Sequence, residues 1–87
     1  MPRGKSVSFD NVDRIIEIGY NIGYFRRHAG LTQEQLAEKA GISRAHLSAI
    51  EAPNIVQSFS IETLFNIADA LGIDAYKLLV FREFPDQ

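Results

Sequence analysis

Apolar residues recur at helical spacing along most of the chain. Ile15, Ile18, Ile22, Phe25 and Ala29 follow one another at intervals of three or four, which makes one apolar stripe. The stripe predicts a first helix that starts near Asp10 or Asn11, both good N-caps, and runs to about Ala29, with Gly30 as its stop. Gly19 and Gly23 lie inside this helix, where each glycine costs roughly 1 kcal/mol. Close packing against another helix accounts for them; a kink near Gly19 is the rival reading.

The punctuation after Gly30 is regular. Thr32 is placed to cap a second helix, Gln33 to Ala40, with Leu36, Ala37 and Ala40 inward and Gly41 at its end. Ser43 is placed to cap a third, which stops before Pro53 because the proline ring blocks continuation. Its inward residues are Leu47 and Ile50. Its other face carries Arg44, Ala45, His46, Ser48 and Ala49, polar yet nearly free of charge. A solvated face ordinarily carries more Lys and Glu, so small residues with one arginine suit a surface that approaches something closely. Residues 52–59 read as a loop. Ser60 starts a fourth helix to about Leu71, with Leu64, Ile67, Ala68 and Leu71 inward and Gly72 as stop. Asp74 starts a short fifth helix holding Tyr76, Leu78, Leu79 and Val80.

These elements predict an all-α, five-helix bundle over residues 10–80. It follows a flexible arm, residues 1–9, and precedes an apolar tail, residues 81–87. Phe81 and Phe84 in that tail either fold back on the core or close a dimer contact, and the second reading is favoured because a domain of 87 residues gains stability from a partner. Exposed apolar residues in a loop, here Ile55 and Val56, raise the same question.

Composition narrows the classes. The apolar fraction of 46% suits a globular domain, and no apolar run approaches the roughly 18 residues of a membrane span. The N-terminal residues hold no apolar signal core, and the chain has no cysteine, which excludes disulfides and thiolate zinc sites and fits a reducing cytoplasm. The two histidines, His28 and His46, have no ligand at metal spacing; His28 reads as a helix-end residue. No nucleophile elbow, phosphate loop or paired carboxylate points to an enzyme, a cofactor or a small-molecule ligand. The net charge of −2 argues mildly against nucleic acid, but it is unevenly spread: residues 1–30 carry +2 and residues 52–87 carry −3. Arg3 and Lys5 either reach DNA or form a free arm.

The segment Gln33 to Ala52 holds two short helices joined by a tight turn on Gly41, with Ala37 small where they cross and Ile42, Leu47 and Ile50 as anchors. That is the physical recipe of a helix-turn-helix. The stretches IGYNIGYFRRHAGLTQEQLAEKAGISRAHLSAIE and SIETLFNIADALGIDAYKLL resemble the Cro and phage-repressor-like (Xre-type) helix-turn-helix proteins over about residues 18 to 79. The resemblance implies a lambda-repressor-like five-helix fold, double-stranded DNA as partner, and a homodimer that regulates transcription at a pseudo-palindromic operator. It places Arg44, Ala45 and Ala49 at base edges. Gln33, Ser43 and Ser48 would lie along the phosphates, with Asn54 a weak substitute for the family's basic loop, and Gln33 would also touch the reading helix. Arg26 and Glu51 would form a structural ion pair.

One departure stands out. Where family members often carry Gly and basic residues after the Glu, this chain has Ala52-Pro53-Asn54 and about two further residues before Ser60. A protein-interaction module on the same fold, antitoxin- or adaptor-like, is the alternative that this loop and the acidic balance support.

Overall fold

The computed structural model describes residues 9–81. The proposed arm residues Arg3 and Lys5, and Phe84 of the tail, lie outside the described residues. Within them are four α-helices, α1 (Phe9–His28), α2 (Gln33–Ala40), α3 (Arg44–Glu51) and α4 (Ile61–Leu71), followed by one 3-10 helix, η1 (Ala75–Leu79).

The caps lie where local chemistry puts them. The Thr32 hydroxyl accepts the Gln35 backbone N–H at 3.0 Å, and the Gln35 side-chain carbonyl accepts the Thr32 N–H at 2.9 Å, a reciprocal capping box. Ser43 and Ser60 cap α3 and α4 by accepting the N–H of His46 and Thr63. Gly41 ends α2 at φ 75 and Gly72 ends α4 at φ 72, in the left-handed region where a Cβ is penalised. Thr32→Ala is expected to cost about 1 kcal/mol. In a domain of this size that lowers the thermal midpoint by about 4–8 °C, read by circular dichroism. Thr32→Ser should be nearly silent.

One core joins all the elements: Ile22 from α1, Leu36, Ala37 and Ala40 from α2, Leu47 and Ile50 from α3, Leu64, Ile67 and Ala68 from α4, and Leu78 from η1. α2 packs on α3 and α4, while α1 packs on α3 and η1. The α1 helix continues through Gly19 without a break. A Cβ at Gly19 would fall inside the van der Waals shell of the Ile50 carbonyl oxygen, so the glycine is there for the α1–α3 crossing. The kink reading is overturned.

Four details differ from the pattern. α1 begins at Phe9, one residue inside the expected arm, so Asp10 and Asn11 lie within the helix and neither is its N-cap. Ala29 lies in the turn after α1 and is exposed, so the inward stripe ends at Phe25. The fifth helix is a 3-10 turn that excludes Val80, and the Asp74 side chain makes no cap bond. Its backbone carbonyl accepts the Lys77 N–H instead. The short turn is held from outside: the Asn21 amide of α1 donates to the carbonyls of Leu78 and Val80, both at 3.0 Å.

Candidate nucleic-acid interface

Helical geometry sets the surface of α3. At about 100° per residue, Leu47 and Ile50 point to the core, and Arg44, Ala45, Ser48 and Ala49 share the opposite arc of about 140°. Arg44 and Ala45 are exposed, and Ser48 and Ala49 half-buried. His46 lies on the flank and is half-buried. No acidic residue occupies the first turn of the helix. Among the described residues Arg44 has no ion-pair partner, so its guanidinium is available. The result is a convex ridge of small side chains with one exposed cation at its leading end.

The ridge is held in place by one carboxylate. Glu51, the last residue of α3, accepts from Arg26 Nε on Oε2 at 2.8 Å and from Arg26 Nη2 on Oε1 at 3.1 Å, a two-pronged charge-assisted contact. The side chains of the pair are 13% and 7% exposed. Arg26 also donates from Nη1 to the Leu31 carbonyl at 2.9 Å. Gln33 donates from Nε2 to Glu51 Oε1 at 3.0 Å. A single acid therefore ties α1, the α1–α2 turn, the first residue of α2 and the end of α3. Gly23 makes room for it: a Cβ there would lie 3.3 Å from Glu51 Oε1.

The expected phosphate residues are placed unequally. Gln33 has one amide hydrogen committed to Glu51 and a second left over. The Ser43 oxygen accepts the His46 N–H, which leaves its own hydrogen to donate. Asn54 is exposed in the loop. Beyond it Gln57 donates to the Ser58 carbonyl at 3.1 Å, and Ile55 and Val56 are exposed, so this loop offers no cation. Phe81, expected at a dimer contact, is half-buried. His28 closes α1 and lies 4.3 Å, ring to ring, from Tyr24. Among the described residues no acid or histidine group could hold a metal ion, and no helix is long and apolar enough to cross a membrane.

Two details escaped the sequence reading. The resemblance has Gln33 touch the reading helix, but that its partner there is Glu51, eighteen residues on, has no local signal. Asn21 sits among apolar neighbours of α1, and that position is the one signal that its amide serves a structural contact.

A family model described as helix-turn-helix matches residues 22–78. A hypothetical transcription factor of Neisseria meningitidis serogroup B is 34% identical over 71 residues, covering 82% of this chain and 65% of its own length. Among solved structures, the N-terminal DNA binding domain of SinR from Bacillus subtilis superposes with a TM-score of 0.68 at 33% identity, over 77% of this chain and 96% of that one. The restriction-modification controller protein C.AhdI from Aeromonas hydrophila superposes with a TM-score of 0.69 at 26% identity, over 74% and 94% of the two chains.

Proposed function

This chain belongs to the helix-turn-helix family, and from that premise we propose that it regulates transcription as a homodimer that reads a pseudo-palindromic operator with α3 in the major groove. It acts by binding double-stranded DNA and not by catalysis. The observation that carries the reading is the outward face of α3: small, convex, free of acid and led by Arg44. A helix of this size and smoothness can lie between two phosphate ridges, where a face of Lys and Glu would be held off.

The roles follow from side-chain chemistry. Arg44 donates two hydrogen bonds to guanine O6 and N7. Ala45 and Ala49 pack on thymine methyl groups. Ser43, Ser48, Asn54 and the spare amide hydrogen of Gln33 bind phosphate oxygens, aided by the dipole at the start of α2. Two copies bring two α3 helices to half-sites about 34 Å apart. Phe81 lies at the contact between copies, with Phe84 following it. The site requires no cofactor or metal, and the protein works in the cytoplasm, where its operator is.

Fluorescence anisotropy on duplexes selected from random sequence tests the reading. Arg44→Ala is expected to weaken the selected site by about 1–3 kcal/mol per base pair contacted, roughly 5- to 150-fold, and to relax the preference at that pair. Gln33→Ala should weaken all duplexes alike. Affinity that ignores salt, or absent binding at low salt, would contradict the proposal. The interaction-module reading draws on the acidic C-terminal third and on the apolar loop residues Ile55 and Val56. A stable protein partner together with indifference to every duplex would favour it.

A further inference from the structure

A pocket of about 330 Å³ lies where α1 crosses the end of α3. Its long wall is one face of α1, where Ile16, Tyr20, Gly23 and Arg27 follow one another at spacings of three or four. Local chemistry opens it. Gly19 lets the Ile50 backbone close on α1. Gly23 carries no side chain, and the Arg27 guanidinium folds back over it: a Cβ there would lie 3.1 Å from Arg27 Nη1. α3 ends at Glu51, and the extended backbone of Ala52 turns the chain so that Pro53 closes the pocket from the far side. The walls come from residues 16–27 and 51–53, so nothing local in the sequence marks the hollow.

Two charged groups line the pocket, and one of them has bonds to spare. Glu51 is fully engaged: Oε1 accepts from Arg26 and from Gln33, and Oε2 accepts from Arg26. Among the described residues Arg27 has no ion-pair partner, and its guanidinium donates to no other side chain. With Arg26 and Glu51 paired, one positive charge is left over at the pocket wall. The remaining lining is apolar: Ile16, the Tyr20 ring and Pro53. Arg44 and Lys39 lack such a setting. Arg44 stands on a convex ridge, and Lys39 lies in a wider groove beside the acids Glu38 and Asp69.

We propose that this pocket binds a small aromatic carboxylate and that its occupation weakens DNA binding. The ring lies on Ile16 between Tyr20 and Pro53, and the carboxylate takes two parallel hydrogen bonds from Arg27. Apolar walls with one convergent charge are the usual make-up of a ligand site. The volume is at the small end of such sites, which run from roughly 300 to 1,000 Å³, and suits one ring with a short acidic arm. The effect on DNA rests on the proposed DNA reading; the site itself does not. Glu51 and Pro53 bound both the pocket and the end of α3, so the ligand sits at the edge of the reading surface. Its charge cancels that of Arg27 and stands against the incoming phosphates. By linkage, DNA weakens the carboxylate by the same factor.

Amide NMR of the full chain tests the site with four probes: benzoate, benzamide with the same ring and no charge, benzylamine with the opposite charge, and inorganic phosphate with no ring. Benzoate should move the signals of residues 16–27 and of Asn54 saturably, with ring contacts to Ile16 and Tyr20. The other three should bind more weakly by about 10-fold or more, the usual share of a charge-assisted bond. Arg27→Gln should bring benzoate down to the level of benzamide and leave benzamide unchanged, a split that a merely structural role would not produce. Should that variant fail to fold, the order of the four probes and the ring contacts in unmodified protein decide. Shifts centred on Lys39 or Arg44, shifts that never saturate, equal binding of benzoate and benzamide, or preference for benzylamine would overturn the site. In anisotropy at matched ionic strength, saturating benzoate should weaken a selected duplex by about 5-fold or more, and Arg27→Gln should not respond. Unchanged duplex affinity would overturn the regulatory half of the proposal. Benzoate held in the pocket by a protein that binds no duplex at low salt would keep the site and sink the DNA reading.

Discussion

Glu51→Ala is expected to cost about 3–5 kcal/mol of folding stability, the usual loss when one partner of a buried ion pair is removed. The reason is what remains behind. Arg26, 13% exposed, keeps its charge with one carbonyl for company, and the Gln33 amide loses its acceptor. The two fixed contacts that hold the end of α3 to α1 and to α2 go together. A domain of 87 residues has a total stability of about 4–13 kcal/mol, so a large share of it rests on this residue. Urea denaturation measures the loss directly. Arg26→Met combined with Glu51→Leu should cost well under the two single changes added together, because no charge is then stranded. A Glu51→Ala variant within 1 kcal/mol of the parent would show that the contact is a surface pair in solution.

Gly19→Ala is the second large effect, and its sign is informative. In an ordinary helix interior the change would stabilise by roughly 1 kcal/mol. Here the new Cβ meets the backbone carbonyl of Ile50, which no rotamer change can move. α1 and α3 must separate, and overpacking of this kind typically costs 1–3 kcal/mol or more. We expect a net loss of about 2 kcal/mol and a thermal midpoint about 8–16 °C lower. Gly23→Ala should be milder, since its Cβ would meet no backbone of another helix: the guanidinium of Arg27 at 3.1 Å can swing aside, and the fixed Glu51 carboxylate, with Oε1 at 3.3 Å, has to give by only a few tenths of an ångström. A Gly19→Ala protein that melts higher than the parent would contradict the α1–α3 crossing.

Much of this was legible locally. Thr32, Ser43 and Ser60 announce helix starts because a side-chain oxygen acts within three residues, and Gly41 and Gly72 announce ends because few other residues tolerate positive φ. The inward residues of α2, α3 and α4 follow from spacing alone. Arg26–Glu51 was reached through the family resemblance, since twenty-five residues separate the two. What stayed hidden depends on tertiary placement. Glu17 is charged yet 8% exposed, which no pattern at its position signals. The 3-10 form of the fifth helix depends on α1 reaching across with Asn21. On the candidate interface, spacing identified the outward residues of α3, and the family resemblance implied the double role of Gln33 without naming Glu51 as its partner.

The acidic balance of the chain and its DNA reading are compatible because the outward face of α3 carries no acid. The exposed acids among the described residues lie on other elements: Asp13 on α1, Glu34 and Glu38 on α2, Glu62 and Asp69 on α4, and Asp74 before η1. Affinity then leans on few cations, so salt dependence should be shallower than for proteins with a basic loop after the reading helix.

Groove occupancy by α3 is the central claim, and methylation interference on a duplex selected from random sequence tests it most directly. Methylating guanine N7, in the major groove, should abolish binding at one position in each of two half-sites about 10 base pairs apart, and Arg44→Ala should erase the effect at those positions. Interference confined to adenine N3, in the minor groove, or selection that enriches no sequence, would contradict it.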